Sequence, residues 1–315
     1  MKADWGELSR KLNSPVYVQE VMSRHTSWKV GGPAQFLVDL SQEEDLKTIF
    51  DFIAEYQLKW RVIGLGTNLL VSDQGLEGIV IKIGSNFSGV KVAGELLTVK
   101  AGTSTGHLLK AAREAGLGGL EFLAGIPGSL GGIVAMNAGA MGKSIGEVAE
   151  QVRCLNANGQ LEEWRPEDLD FSYRHSRLLN SGRIVLEVVL RGSLAEPELI
   201  AGQIKQNLAK RKKAHPLEYP NAGSVFKNPP GDYAGRLIEA CGCKGLRVGG
   251  AEVSQKHANF IINRDGATAE DIWQLIELVQ EKVYGEFGIK LTVEVQLAGS
   301  VEKKSGGKTI GQISD

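Results

Sequence analysis

Glycine is concentrated in one region of the chain, and this feature most limits the folds that the sequence can adopt. Residues 64–146 hold 19 of the 40 glycines in the 315-residue chain. Glycine destabilises regular helices and strands, but it allows tight turns and a close approach of the backbone to a ligand. Because the chain has only 9 prolines, the composition is not of a low-complexity type. Glycine-rich loops within a folded domain are therefore expected.

Regular elements are predicted around these loops from the spacing of apolar residues and from helix-start signals. Ser41 and Glu44 have the spacing of a capping box, which predicts an amphipathic helix from there to Tyr56. The order strand, helix, strand before residue 84 indicates an α/β unit. The other predicted elements are strands at 36–40, 60–63, 78–83, 96–100, 148–155, 183–190 and 289–297, and helices at 107–115, 198–213 and 269–286.

Composition excludes several classes of protein. The length suggests about two domains at roughly 150 residues each. Lys and Arg number 36 against 37 Asp and Glu, which gives a net charge of −1. This balance provides no basic surface for nucleic acid or an anionic membrane. The N-terminal residues contain no apolar signal segment, and no stretch has the length of a membrane span, so we expect a cytoplasmic chain that is not membrane-bound.

Cysteine and histidine residues predict no metal site. The three cysteines are too few for a disulfide framework. Cys241 and Cys243 flank a glycine, but no second cysteine pair and no HxxxH spacing accompanies them, so a structural role is favoured. His257 is expected to be a packed or hydrogen-bonded histidine and not a general base.

Two of the glycine-rich loops are candidates for phosphate binding. The first, Gly64 to Leu69, follows a predicted strand, and the second, Gly125 to Gly132, runs into a helix start. Glycine lets backbone N–H groups reach an anion, and a helix N-terminus favours negative charge. Leu69 stands where a GxGxxG fingerprint requires glycine. The first loop alone is more typical of a plain turn. The two loops together point to a dinucleotide with an extended pyrophosphate as readily as to turns.

These loops also carry a family resemblance. GLGTNLLV (64–71) and GIPGSLGGIVAMNAGA (125–140) resemble the two FAD pyrophosphate loops of the vanillyl-alcohol-oxidase-type fold. Further segments occur in the order found in UDP-N-acetylenolpyruvoylglucosamine reductases, over about residues 20–299. They are HTSWKVGGPA (25–34), FSYRHSRL (171–178), PLEYPNAGSVFKNP (216–229), GLRVGGAEVSQKHANFIIN (245–263) and LTVEVQLAG (291–299).

The resemblance implies an α+β protein with a vanillyl-alcohol-oxidase/PCMH-type FAD-binding fold. Two α/β subdomains are expected at 1–83 and 84–197, a C-terminal α+β substrate domain at 198–299, and a flexible tail at 300–315. The implied FAD-binding residues are Gly64, Leu65, Gly66, Thr67, Asn68, Leu69, Gly125, Ile126, Pro127, Gly128, Ser129, Gly131, Gly132, Asn137, Ala138 and Gly139.

The resemblance also implies the reaction. An FAD enzyme reduces the enolpyruvyl ether of UDP-N-acetylenolpyruvoylglucosamine to UDP-N-acetylmuramate in peptidoglycan precursor synthesis. NADPH is the electron donor and occupies the same site as the sugar nucleotide in turn, so no separate dinucleotide fingerprint is expected. A monomer is expected as well.

The implied catalytic residues are Arg174, Ser224 and Glu294, and their chemistry suits the reaction. Hydride addition to a vinyl ether carboxylate leaves negative charge on the carbon beside the carboxylate. Arg174 can hold that carboxylate with two hydrogen bonds, and Ser224 can donate the proton. Glu294 can orient a water molecule or polarise the acid. Read singly, Arg174 suggests a surface ion pair, Ser224 a turn, and Glu294 a solvent-facing strand carboxylate.

Substrate contacts are expected from Lys213, Lys227 and Asn228. Lys213 also suits the C-terminal end of a helix, and Asn228 suits the cap of a turn before Pro229. Thr292 stands where the family often has a second acidic residue. The short approach to Ser224 from Pro216 resembles the shorter subgroup, which lacks a tyrosine-bearing loop over the substrate.

Two other functions remain open at this stage. A flavin oxidase of the same fold would be reduced by an alcohol or sugar and reoxidised rapidly by oxygen. A non-catalytic nucleotide-binding module would keep the fold without the reaction. The joint presence of the three candidate catalytic residues favours the reductase.

Overall fold

The computed structural model describes residues 5–300, and the chain forms two compact units. The first unit contains Met1–Val18, Phe36–Leu65 and Gly78–Arg211. The second contains Gln19–Gln35, Gly66–Glu77 and Lys212–Asp315. Both units are assembled from separate stretches of sequence. Within the described range, no helix has the length and apolar character needed to cross a membrane.

The described residues contain both helices and strands, and most strands follow one another along the chain with no α-helix between them. The helices are α1 (Trp5–Lys11), α2 (Asp45–Tyr56), α3 (Thr105–Glu114), α4 (Leu130–Ala135), α5 (Pro197–Ala214), α6 (Ala234–Ala240) and α7 (Ala269–Phe287), with short 3-10 turns at Met22–Arg24, Ser85–Phe87, Glu121–Leu123, Ile145–Glu147 and Pro166–Asp168. The strands are β1 (Val16–Val21), β2 (Pro33–Asp39), β3 (Trp60–Ile63), β4 (Leu69–Val71), β5 (Leu76–Lys82), β6 (Val90–Ala93), β7 (Leu96–Lys100), β8 (Leu117–Gly118), β9 (Gly139–Ala140), β10 (Lys143–Ser144), β11 (Ala149–Leu155), β12 (Leu161–Trp164), β13 (Ile184–Arg191), β14 (Ser193–Leu194), β15 (Arg247–Val248), β16 (Ala251–Val253), β17 (Ile261–Asn263) and β18 (Gln296–Ala298).

Two sheets supply most of the first unit. One has the order β1-β2-β5-β3, with β3 and β5 parallel, and the other is the antiparallel sheet β12-β11-β13-β7-β6. Helix α2 faces the core with Leu46, Ile49 and Ile53, which are spaced three and four residues apart. These side chains join one buried apolar cluster with residues of both sheets. Burying each such side chain stabilises the fold by roughly 1.5–3 kcal/mol.

Helix α7 dominates the core of the second unit. Thr268 and Asp271 form a capping box at its start, and Gly288 ends it in the left-handed conformation with φ +67°. The carboxylate of Asp73 accepts hydrogen bonds from the first backbone N–H groups of the helix, at Ala269 (2.9 Å) and Glu270 (3.1 Å). The helix packs with the sheet β15-β16-β17, and β18 pairs in parallel with β4.

Most predicted elements are confirmed, several to the residue. The strands at 60–63 and 96–100 match β3 and β7, and the helices at 107–115, 198–213 and 269–286 match α3, α5 and α7 within two residues. Helices α1 and α6 have no counterpart among the predictions. The architecture is α+β, as expected.

Two local predictions are wrong. The helix predicted from Ser41 begins at Asp45, because the Ser41 N–H donates to Ser14 Oγ (2.9 Å) and Glu44 makes no capping hydrogen bond. The strand predicted at 289–297 is reduced to β18, Gln296–Ala298. The residues before it make only an isolated bridge, Val293 with Phe226.

The domain boundaries at 83, 197 and 299 stay a prediction. The two compact units do not follow them, since 19–35 and 66–77 lie in the same unit as the C-terminal residues. The predicted tail, 300–315, lies outside the described residues except for Ser300.

Candidate functional site

The two glycine-rich loops meet within the first unit. A Cβ atom at Gly64 would lie 2.2 Å from Ser129 Oγ, so the first loop can pass the second only without a side chain there. The second loop is fixed by hydrogen bonds from Leu130 N to Thr103 O (2.9 Å) and from Gly131 N to Ala101 O (2.8 Å). The N–H of Gly131, one of the predicted FAD residues, is thus used inside the protein.

The remaining loop backbone suits an anionic ligand. Gly66, Gly125 and Gly128 have φ values of +63°, +75° and +138°, where a side chain would cause strain. Among the residues that the structure describes, no acceptor is found for the N–H groups of Leu65 and Gly66. Gly125 and Gly132 are exposed, and α4 begins directly after Ser129. This donor set fits a pyrophosphate such as that of FAD.

Several of the predicted FAD residues with longer side chains, such as Leu69, Ile126 and Asn137, are buried in the protein. Leu69 lies in β4, and Ile126 O accepts a hydrogen bond from Thr105 Oγ1 (2.8 Å). The Asn68 carboxamide donates to Glu294 O (3.1 Å), and Asn68 O accepts from Gln296 N (2.9 Å). Asn68 therefore connects the first loop to the chain around Glu294 within the second unit.

Arg174 lies in a tight turn that the second glycine-rich segment holds in place. Ser172 and His175 exchange two backbone hydrogen bonds of 3.1 Å, and Arg174 has φ +56°. Asn137 is buried, and its Nδ2 donates to Ser172 O (2.8 Å). Arg174 Nη1 donates to Gly139 O (3.4 Å). The side-chain Nδ2 of Asn137, a residue predicted to bind FAD, thus donates to the turn that contains Arg174.

Arg211 is a functional candidate that sequence reasoning missed. A Cβ at Gly125 would lie 2.8 Å from Arg211 Cδ, so the side chain runs along the second loop. Burial, and to a smaller extent the positive charge of Arg174, lowers the pKa of the Arg211 guanidinium. Two cations this close favour an anion between or beside them. Arg211 stands within the run Lys210–Lys213, where nothing in the sequence distinguishes it from solvated charges.

Ser224 and Glu294 are brought together in the second unit. Glu294 N donates to Val225 O (2.7 Å), and Lys227 N donates to Thr292 O (2.8 Å). Ser224 is half-buried, and Glu294 is only 9% exposed. The reading of Glu294 as a solvent-facing carboxylate is therefore wrong. Arg174 belongs to the first unit.

The residues expected to contact substrate differ in their surroundings. Lys213 is exposed near the end of α5, and Lys227 is half-buried. Asn228 Oδ1 accepts a hydrogen bond from Ala234 N (3.0 Å), the first residue of α6. Asn228 therefore stabilises the start of α6 and not the turn before Pro229 that the sequence suggested as the alternative.

His257 and the cysteines have structural surroundings. The His257 ring packs against Phe260 (4.9 Å between ring centroids), and its Nδ1 accepts from Asn259 N (3.2 Å). Burial lowers the pKa of His257 and so favours the neutral imidazole. Cys243 is buried in the core of the second unit. In the described part of the chain, no group of three or more His, Cys, Asp or Glu side chains is placed to hold a metal ion.

Comparison with known proteins first defines the class. Residues 34–165 match the family described as FAD binding domain. This range includes most of β2 and both glycine-rich loops. It also includes β6, β7, β11 and β12 of the five-stranded sheet, but not β13. The chain is a flavoprotein with a PCMH-type FAD-binding domain, as the loop sequences predicted, and a C-terminal α+β domain follows it.

The C-terminal half narrows the class to one family. Residues 215–298 match the UDP-N-acetylenolpyruvoylglucosamine reductase, C-terminal domain. The UDP-N-acetylenolpyruvoylglucosamine reductase of Heliobacterium modesticaldum is 44% identical over 306 residues, covering 97% of this chain and 96% of that protein. The Bacillus subtilis protein of the same name is 41% identical over 294 residues, covering 93% and 97%. The chain belongs to the UDP-N-acetylenolpyruvoylglucosamine reductases, FAD-dependent oxidoreductases of peptidoglycan precursor synthesis that use NADPH.

A solved structure agrees with this assignment. The crystal structure of UDP-N-acetylenolpyruvylglucosamine reductase from Thermus caldophilus superimposes with a TM-score of 0.78 at 36% sequence identity. The match covers 91% of this chain and 99% of the Thermus chain. The predicted family and fold class are confirmed.

Proposed function

We propose that Arg174, Ser224 and Glu294 carry out the reduction of the enolpyruvyl group of UDP-N-acetylenolpyruvoylglucosamine in this chain. The observation that carries the proposal is the pairing of the Ser224 segment with the buried Glu294 segment, through Glu294 N and Val225 O (2.7 Å). A candidate proton donor and a buried carboxylate on adjacent segments suit an acid-base step.

The residues of the first unit suit FAD. Gly64, Leu65 and the loop Gly125–Gly132 would hold the pyrophosphate with backbone N–H groups other than those that donate within the protein, as those of Leu130 and Gly131 do. Bound there and reduced by NADPH, FAD would be the source of the hydride for the enolpyruvyl group. We propose that NADPH and the sugar nucleotide occupy one site in turn, as the family resemblance implies.

Arg174 would neutralise the charge that develops on the substrate. Its guanidinium can hold the substrate carboxylate with two hydrogen bonds, which are stronger than those between neutral groups. As the carbon beside the carboxylate gains negative charge, the bound carboxylate takes on enolate character, and a fixed cation stabilises it. The turn between Ser172 and His175, held by Asn137, keeps the guanidinium in place before the reaction.

Ser224 would donate the proton that completes the reduction. A serine hydroxyl is a weak acid, so the developing alkoxide needs nearby positive charge or dipoles. Lys227, three residues further on, is a candidate for this charge. Glu294 would orient a water molecule or the substrate beside Ser224. Lys213 and Asn228 remain proposed substrate contacts. Because Asn228 Oδ1 accepts from Ala234 N, Asn228 would contact the substrate through its Nδ2 atom.

The Ser224→Ala variant tests this proposal. NADPH should bleach its flavin at the wild-type rate, because hydride transfer to the flavin needs no proton from Ser224. Reoxidation by UDP-N-acetylenolpyruvoylglucosamine should be slowed by about 100-fold or more, in the usual range for loss of a general acid. Ser181→Ala, a half-buried serine whose hydroxyl donates to Leu178 O, is the matched control and should behave as wild type. Unchanged reoxidation in Ser224→Ala would remove Ser224 from the acid role.

The proposal extends to the state of the protein in the cell. We propose that the protein is a cytoplasmic monomer. We also propose that it belongs to the shorter subgroup, which lacks the inserted tyrosine-bearing loop over the substrate, as the short segment from Pro216 to Ser224 suggests. Sedimentation equilibrium should give the mass of one chain, and the mass of two chains would contradict this part.

A further inference from the structure

Asn259 makes an unusual set of contacts with the chain that follows Ser224. Its Oδ1 accepts from Phe226 N (2.9 Å), and its Nδ2 donates to Phe226 O (2.8 Å). Its backbone oxygen accepts from Val225 N (2.9 Å). One residue thereby supplies three hydrogen bonds to two consecutive residues. Asn259 is only 4% exposed, so water does not compete for these bonds.

The opposite edge of the same segment is also hydrogen-bonded. Val225 O accepts from Glu294 N (2.7 Å), and Lys227 N donates to Thr292 O (2.8 Å). The residues after Ser224 thus lie between Asn259 on one side and the Glu294 segment on the other, as the middle strand of a small sheet would. On the Asn259 side, the carboxamide takes the place of a second strand residue, because it offers a donor and an acceptor in one plane.

The segment before Ser224 is held three residues further back, at Asn221, whose backbone forms a bridge with Ile262 and whose carboxamide accepts from Gly223 N (3.0 Å). Gly223 itself has φ +79°, a conformation that glycine adopts without strain. On the other side of Ser224 the contacts begin at the next residue, so the position of the Ser224 hydroxyl depends on how firmly Val225 and Phe226 are held. Displacement of a reacting group by about 1 Å can cost about 100-fold in rate.

We propose that Asn259 is a positioning residue for Ser224, which fixes the hydroxyl in the place from which it donates its proton. This inference rests on the proposed function, because it assigns Asn259 a role only in the step that Ser224 performs. Asn259 does not touch the substrate in this account. Its carboxamide acts through the backbone of Phe226.

The Asn259→Asp variant separates positioning from mere folding. The carboxylate keeps the size of the carboxamide and still accepts from Phe226 N, but it repels Phe226 O, to which Asn259 Nδ2 donates. When protonated, the carboxyl can donate to that oxygen again. Burial raises the pKa of the introduced carboxyl, so the repair should occur as the pH falls through the mildly acidic range.

The measurement is the rate of flavin reoxidation by UDP-N-acetylenolpyruvoylglucosamine in a single turnover. At neutral pH we expect Asn259→Asp to be slowed about 10- to 100-fold, with a larger solvent deuterium isotope effect than wild type. Flavin reduction by NADPH should be unchanged. The rate relative to wild type should recover at lower pH. If Asn259→Asp does not fold, Asn259→Ser, whose hydroxyl can donate to Phe226 O, gives the same two half-reactions for comparison.

Asn263→Asp is the matched control. Asn263 is also buried in the second unit, where its Nδ2 donates to Trp28 O (2.9 Å) and its Oδ1 accepts from Ala267 N (2.8 Å). It should lose thermal stability as Asn259→Asp does, yet reoxidise at the wild-type rate. Equal slowing in both variants, or wild-type reoxidation in Asn259→Asp, would overturn the inference. Failure of the wild-type protein itself to be reoxidised would instead refute the proposed function.

Discussion

The backbone at Arg174 limits which residues can replace it. The residue has φ +56° in a tight turn, a conformation that Asn and Gly tolerate better than other residues. Its side chain must also present a planar cation to the substrate carboxylate. The position therefore combines a conformational cost with a chemical requirement, and the two can be separated by substitution.

The Arg174→Lys variant keeps the positive charge but loses the bidentate pair of hydrogen bonds to the substrate carboxylate. We expect kcat for NADPH oxidation with substrate to fall about 10- to 100-fold, which corresponds to about 1.5–3 kcal/mol for a hydrogen bond to a charged group. Arg174→Asn, which suits the turn but has no charge, should lose more. Flavin content should remain at the wild-type level in both. Wild-type kcat in Arg174→Lys would argue against a bidentate contact.

Cys154 gives a prediction about stability and pH. Burial, together with the nearby charge of Glu162, raises the pKa of the Cys154 thiol to about 11, from 9.0 in its unperturbed state. The folded state thus disfavours the thiolate. The resulting contribution to the free energy of unfolding is fully present below pH 9 and is lost as the pH rises towards 11.

Chemical denaturation between pH 8 and 11 checks this prediction. The free energy of unfolding of the wild-type protein should fall more steeply with pH than that of Cys154→Ala, in which the titrating group is absent. Parallel curves for the two proteins would show that the thiol ionises equally well in the folded and unfolded states.

Among the elements, those with a local apolar signal were predicted best, such as β3, β7 and α7. The apolar spacing of α7 is read directly from residues 269–286, and the structure adds only one residue at its end. The segment around Glu294 shows the opposite case. Its alternating residues predict a strand, but its pairing partner is Phe226, far away in sequence, and the pairing is a single bridge. Pattern alone could not reveal that Glu294 is buried.

The candidate site was predictable to the extent that its residues lie in recognisable motifs. Arg174, Ser224 and Glu294 were found through such motifs. Arg211 and Asn259 were not, since their roles depend on contacts with Gly125 and Phe226 that form only in the folded chain. The FAD role of Asn137, implied by the resemblance of residues 125–140, stays a prediction, and the sequence did not show that its side chain donates to the turn of Arg174.

Adding a single methyl group to the first loop should strongly affect flavin binding and stability. A Cβ at Gly66 would lie 1.9 Å from His25 O, and the residue has φ +63°. Gly66→Ala should therefore lower the flavin-to-protein absorbance ratio and the melting temperature. Gly106→Ala, in helix α3 with open space around it, is the matched control. It should retain flavin and gain up to about 1 kcal/mol in the free energy of unfolding. Equal flavin content in both variants would contradict the account of the loop.

For the whole molecule, the division into two discontinuous units was not predicted. Residues 19–35 and 66–77 join the C-terminal residues through contacts such as Trp28 Nε1 with Ile261 O (2.8 Å) and Ala269 N with Asp73 Oδ1 (2.9 Å). Such contacts, about 200 residues or more apart, leave no periodic signal in the sequence. Family resemblance predicted the fold class because it compares the entire order of motifs.

The central claim is that this chain passes electrons from NADPH through FAD to the enolpyruvyl group of a UDP-sugar. The most direct test is anaerobic stopped-flow absorbance of the purified wild-type protein at the flavin band. We expect NADPH to bleach the flavin and UDP-N-acetylenolpyruvoylglucosamine to restore it, with one substrate consumed per flavin reoxidised. A flavin that stays bleached with this substrate, but is reoxidised rapidly by oxygen, would contradict the account and favour an oxidase.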